Sequence, residues 1–137
     1  MVTPETRNER TIRRLFETVL NGQQYEQIPE YCQQNVVLNR PGERRVVGRE
    51  AYAEHYRELH GVFPDLATDL TDLVADRERV ATRFLVTGTH EGELMGVSAS
   101  GNCVEFAAQI LFRLADGCVT EEFHQSDWQA VESQIRE

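Results

Sequence analysis

The residue that most invites a chemical reading is Asp127. Read as a strand, the stretch before it puts Val119, Glu121, Phe123, Gln125 and Asp127 on one face, because successive side chains alternate. Val119 and Phe123 would then give the carboxylate an apolar wall. Desolvation there raises a carboxyl pKa toward the range in which it serves as a base near neutral pH. The assignment requires a strand without a bulge, since one extra residue exchanges the two faces. Tyr52 and Tyr56 lie one helical turn apart, a spacing more often found in a core. His55 and His60 are five apart and do not stack as helical metal ligands do at i, i+4. Cys32, Cys103 and Cys118 are odd in number and lack a Cys-x-x-Cys spacing, which argues against both a disulfide framework and a zinc site. Cys103 and Cys118 read as small strand fillers, Cys32 as an inward helical residue, and a reduced cytoplasm is the simplest setting. No phosphate loop, metal set or nucleophilic triad is present.

Composition narrows the classes further. The 137 residues suit a single domain, 1–137, with 14 basic residues, all arginine, against 23 acidic ones and a formal charge of −9. Such a surface disfavours nucleic acid and anionic membranes as partners, because phosphate binding needs cations. The absence of lysine excludes Schiff-base chemistry through a lysine amine. A salt-loving host would produce this balance, and so would a moderately acidic mesophilic protein. No apolar run reaches membrane-spanning length, and the polar N-terminus does not resemble a signal peptide.

The elements that must position these residues are readable in order. Thr3-Pro4-Glu5 is a helix start, with a capping hydroxyl, a proline at the first position and an acid in the first turn. Ile12, Leu15, Phe16, Val19 and Leu20 form one stripe, and Asn21-Gly22 stops the helix. A shorter helix is expected over Tyr25 to Gln33, with Pro29 in or near its first turn. Asn35 to Asn39 reads as a short strand closed by Arg40-Pro41-Gly42. A third helix opens after Gly48, carries Tyr52, His55, Tyr56 and Leu59 on one side, and ends at Pro64-Asp65. Strands follow over Leu66–Ala75 and Val80–Thr87, and from Val104 onward, where Val104, Phe106, Ala108, Ile110, Phe112 and Leu114 share a face while Glu105, Gln109 and Arg113 take the other. Ala115-Asp116-Gly117 turns the chain into the last strand. Helices followed by antiparallel strands give an α+β domain.

Four motifs in this order resemble one family. They are Phe63-Pro64-Asp65-Leu66, then Gly88-Thr89-His90-Glu91-Gly92 with Gly96-Val97 and Ser100-Gly101, then Phe112-Arg113-Leu114-Ala115-Asp116-Gly117, then the late Asp127. Together they resemble the SnoaL-like polyketide cyclases. The resemblance implies a cone-shaped fold, also found in nuclear transport factor 2 and ketosteroid isomerase. In it a curved antiparallel sheet wraps a long N-terminal helix and two shorter helices around an apolar pocket, and homodimers form through the outer sheet face. It implies an aldol-type ring closure, or isomerisation, of a small hydrophobic carbonyl compound with no metal or organic cofactor.

By the same resemblance Asp127 would be the base. The resemblance also makes Asn39 and Gln109 substrate contacts; Tyr56, whose hydroxyl could donate to an enolate oxygen, and Phe123, on the apolar wall, are substrate contacts by their own chemistry. His90 is expected to brace a turn. Two departures stand out. No histidine occurs on the strand carrying Gln109, although ring-closing relatives use one there. Glu121-Glu122-Phe123 stands where relatives carry Glu-His-Trp, and His124, two residues beyond, is not expected to inherit that histidine's role. The alternative to an enzyme is a non-catalytic ligand-binding or stress-associated module of the same fold.

Overall fold

Thr3 accepts a hydrogen bond from the Thr6 N–H, and Pro4 starts the first helix, α1 (Pro4–Leu15). The computed structural model describes residues Met1–Glu137. α1 runs into a π-helical turn, Phe16–Asn21, that ends at Gly22. A Cβ on Gly22 would sit 2.6 Å from the Thr18 carbonyl oxygen, so the chain can turn this tightly only at glycine. Ile12, Leu15, Phe16, Val19 and Leu20 are all buried, as their spacing predicts.

The second helix is shorter than expected. A 3₁₀ turn, Tyr25–Gln27, leads into α2 (Ile28–Tyr31), and Pro29 falls at the helix start, where its missing N–H costs nothing. The chain is already extended at Cys32. Strand β1 therefore spans Cys32–Asn39, followed by the two-residue β2 (Val46–Val47) and α3 (Arg49–Val62). The long strands are β3 (Ala67–Ala75), β4 (Arg79–Thr89), β5 (Cys103–Ala115) and β6 (Cys118–Ser126). A terminal helix that the sequence pattern did not reveal, α4 (Trp128–Ile135), buries Val131 and Ile135.

The strands form one open sheet in the order β2-β1-β6-β5-β4-β3. The sheet is mixed: every pair is antiparallel except β1 with β6, which run parallel. A parallel pair needs a long crossover, and β2, α3, β3, β4 and β5 all lie between these two strands. The alternation expected along β5 holds without exception, with Val104, Phe106, Ala108, Ile110, Phe112 and Leu114 buried on the helix-facing side.

The expected parity of β6 does not hold. Val119 pairs with Leu114, but Glu121 already pairs with Arg113, so Thr120 is an extra residue in the strand. The Thr120 hydroxyl bonds the Arg113 carbonyl at 3.2 Å inside this bulge. Beyond it the faces exchange. Glu122 is fully buried, whereas Phe123 is 37% exposed on the outer face. The apolar wall of Val119 and Phe123 beside Asp127 is thus corrected: Val119 faces in, Phe123 faces out, and the inner positions belong to Glu122, His124 and Ser126.

Candidate functional site

Between the helices and the inner sheet face lies a cavity of about 510 Å³. Leu20, Leu59, Val62 and Leu66 line it from the helical side, and Phe84, Val86, Phe106, Ala108 and Ile110 from β4 and β5. Arg40, His55 and His124, neighbours in space, give the cavity a polar end, and Tyr56, Thr68, Ser126, Glu43, Glu58 and Glu93 also line it. An apolar body with a few convergent polar groups is the usual form of a small-molecule site.

The polar end is built from the bulged strand upward. Glu122 and His124, two apart on β6, share the inner face. His124 Nε2 lies 2.7 Å from Glu122 Oε1, and the second carboxylate oxygen accepts from the Tyr52 hydroxyl at 2.5 Å. Burying a carboxylate is costly unless its oxygens are bonded, and here both are. Tyr52 remains a protonated donor because burial pushes its pKa well up, as do the nearby Cys32 and Glu122. Burial, and then the negative field of Glu122, likewise keeps Cys32 a thiol. An Nε2–H donated to Glu122 corresponds to the tautomer whose lone pair is on Nδ1.

The His124 side chain retains 14% exposure, and the residue lines the cavity. Its ring stands edge-on to that of His55, with centroids 5.8 Å apart. Burial drives the His55 pKa down to about 3, helped by His124, Arg40 and His60, so His55 is neutral at physiological pH. Arg40 Nη1 donates to His55 Nδ1 over 3.5 Å, which leaves the His55 proton on Nε2. Tyr56 also lines the cavity. Its hydroxyl is buried without a hydrogen-bond partner, and burial and then the Glu122 charge raise its pKa.

The sequence-predicted residues fall in different places. Tyr56 is on the cavity wall. Asn39 is not; its Nδ2 donates to Glu121 Oε2 at 2.9 Å and to the Glu122 carbonyl at 3.0 Å, tying the end of β1 to β6 beside the buried carboxylate. Gln109 is exposed on the outer face, opposite Arg83 and Gln125. Asp127 is exposed and caps α4, accepting from the Ala130 N–H at 3.1 Å, while its neighbours Ser126 and Trp128 line the cavity. Glu122 and His124 were not singled out as site residues. A Glu-x-His on a strand was the available signal, since residues two apart share a face wherever an earlier bulge falls.

His90 braces its loop. Its Nδ1 accepts from the Ser100 N–H at 3.1 Å and lies 2.8 Å from the Ser100 hydroxyl. Both carboxylate oxygens of Asp65 bond Thr89, at its N–H and its hydroxyl, each at 2.7 Å. His60 is a satisfied core residue, bonded to the Leu20 carbonyl at 2.8 Å and to Tyr25 Oη at 2.6 Å.

The family pattern of the SnoaL-like polyketide cyclases matches residues 10–135. Among solved structures, a protein described as a candidate SnoaL-like polyketide cyclase from Jannaschia sp. CCS1 is 27% identical. That match covers 98% of this chain and 95% of the other, with a TM-score of 0.91. IdmH, a candidate polyketide cyclase from Streptomyces antibioticus, is 25% identical over 95% of this chain and 99% of its own, with a TM-score of 0.81. AclR, described as a candidate hydroxylase from Streptomyces galilaeus, shares the fold at 22% identity, covering 96% of this chain and 82% of its own, with a TM-score of 0.84. No curated protein sequence matches the chain. No helix is long and apolar enough to cross a membrane.

Proposed function

We propose that this chain, which belongs to the SnoaL-like polyketide cyclase family, performs cofactor-free acid–base chemistry on a hydrophobic carbonyl compound, with His124 as the base. One observation carries the reading: His124 stands on the wall of an apolar cavity with one ring nitrogen held by the buried Glu122 carboxylate. In this scheme His124 Nδ1 removes a proton α to a carbonyl and Glu122 stabilises the imidazolium that forms. The His55 Nε2–H is the donor available to the enolate oxygen. For an aldol ring closure the enolate carbon attacks a second carbonyl of the same molecule. The imidazolium then returns its proton to the new alkoxide, so protons balance and no redox step is needed. Isomerisation uses the same first step and returns the proton to a different carbon.

Asp127 is the competing base, supported by its matching the late acid of the family pattern. Deuterium wash-in at the α-carbon of 2-tetralone, followed by ¹H NMR, separates the two. Under the His124 reading, His124→Gln slows exchange by at least about 100-fold and Asp127→Asn leaves it near wild type. The opposite result assigns the base to Asp127. Trp128 is the sole tryptophan and lines the cavity beside Phe106, so its fluorescence reports binding independently. Saturable binding with no exchange in any form of the protein would favour the ligand-binding module.

The outer sheet face is the proposed contact with a second copy. Phe123 sits there with half-buried Leu111, its cross-strand partner, and under the Arg113 guanidinium at 5.8 Å. Phe123→Glu should convert a dimer to a monomer in light scattering after gel filtration. The three free cysteines suit a reducing cytoplasm.

A further inference from the structure

Arg40 is the only arginine on the cavity wall, and its bonding is incomplete. Its Nε–H is buried with no acceptor. Nη1 reaches only His55 at 3.5 Å, and Nη2 only the Arg44 carbonyl at 3.4 Å. The nearest carboxylate oxygen, on Glu43, is 3.6 Å from Nη1 and belongs to a side chain 56% exposed to solvent. Such a pair contributes little. The Arg40 side chain is only 23% exposed, and a guanidinium so enclosed usually meets a carboxylate in a short, two-pronged contact, which this one lacks.

The backbone beside it is tied down. Arg40 directly follows Asn39, whose amide is bonded to Glu121 and to the Glu122 backbone. The guanidinium therefore sits one imidazole, His55, away from His124. A group bound at Arg40 would bring its attached rings alongside the Glu122–His124 pair.

We infer that Arg40 is an anion subsite, and that the natural ligand is an apolar, ring-bearing keto acid whose free carboxylate it receives. The inference deepens the functional reading above, since it names the substrate class of the same cavity, but it concerns binding alone. The 12 hydrophobic residues on the wall accept the rings, and Arg40 supplies the one fixed positive charge among Glu43, Glu58 and Glu93. Those rim carboxylates oppose a second negative charge, so the subsite suits a monoanion better than a dianion.

Titration of Trp128 fluorescence with anthraquinone-2-carboxylate and with its methyl ester tests this. The wild-type protein should bind the acid at least about tenfold more tightly than the ester. Arg40→Gln should weaken the acid to the level of the ester and leave ester binding unchanged, while Arg40→Lys should retain part of the preference. Glu43→Gln, which removes the weak competitor from an exposed position, should tighten acid binding. Equal affinity for acid and ester in the wild type, a preference that survives in Arg40→Gln, or no saturable binding of either compound would overturn the inference. His124→Gln should keep the acid preference. A preference in a protein that exchanges no α-protons would leave this inference standing and sink the proposed base.

Discussion

The loop cluster around His90 and the inner-wall cluster around Glu122 both border the cavity, yet they are written into the chain in different ways. Around His90 the residues are conspicuous because the backbone demands them. A Cβ on Gly92 would lie 2.6 Å from the Gly61 carbonyl oxygen, and one on Gly88 would lie 3.0 Å from the Phe63 ring stem. His90 and Asp65 then fasten the loop that carries Glu93 and Leu94 to the cavity wall. Around Glu122 nothing is conspicuous. Two ordinary residues acquire their character from burial, from Tyr52, and from a bulge at a threonine. The recognisable motif shapes the container, and the less marked positions hold the titratable groups.

This contrast can be broken by measurement. The largest effect is expected at His124. His124→Gln should lower α-proton exchange by about 100-fold or more with little change in urea stability, because the residue is on the wall and not in the packed core. Glu122→Gln should cost less activity but more stability, since it exchanges a doubly bonded carboxylate for an amide facing the Tyr52 hydroxyl.

Gly92→Ala should do the reverse of His124→Gln. Its Cβ meets backbone, which cannot step aside, so a loss of about 2–3 kcal/mol is expected, read from urea denaturation. The folded fraction should retain its exchange rate. A Gly92→Ala protein that is stable but inactive would mean that the loop cluster takes part in the chemistry.

The pH dependence of stability sharpens the comparison again. The His55 pKa is about 3 in the folded protein against an ordinary histidine value of 6.5. Between these values the unfolded chain takes up a proton that the folded chain refuses. Stability should therefore fall as pH drops below 6.5, by up to about 1.4 kcal/mol per pH unit for this one group. His55→Gln should flatten that part of the urea-midpoint profile between pH 6 and 4. Asp65 acts in the same direction at lower pH, its carboxyl held below the usual range by its bonds to Thr89.

The smallest effect is expected at Asp127. Asp127→Ala should lose about 1 kcal/mol as an N-cap, and Asp127→Asn, which also caps, should lose less. A large loss of exchange in the asparagine variant would move the chemistry from the inner wall to the rim.

Much of the fold was legible. The β5 alternation, the α1 stripe and the helix bearing Tyr52 and Tyr56 each follow from a period that a single element repeats, so local pattern suffices. The terminal helix α4 was not legible, because eight residues with only Val131 and Ile135 buried give too short a stripe to stand out. The site was half legible. Sequence alone determined that the chain holds an apolar strand system ending in acids and a histidine, that Tyr52 and Tyr56 share a helical face, and that the four motifs run in family order.

Only the tertiary structure decided which of those acids is buried. Strand parity has a period of two, so one residue inserted at Thr120 turned Phe123 outward and Glu122 inward. Nothing in the residues near Thr120 announces that insertion. It is fixed by the pairing of β6 with β5 on one side and β1 on the other, and by the Tyr52 hydroxyl waiting on α3 for a carboxylate.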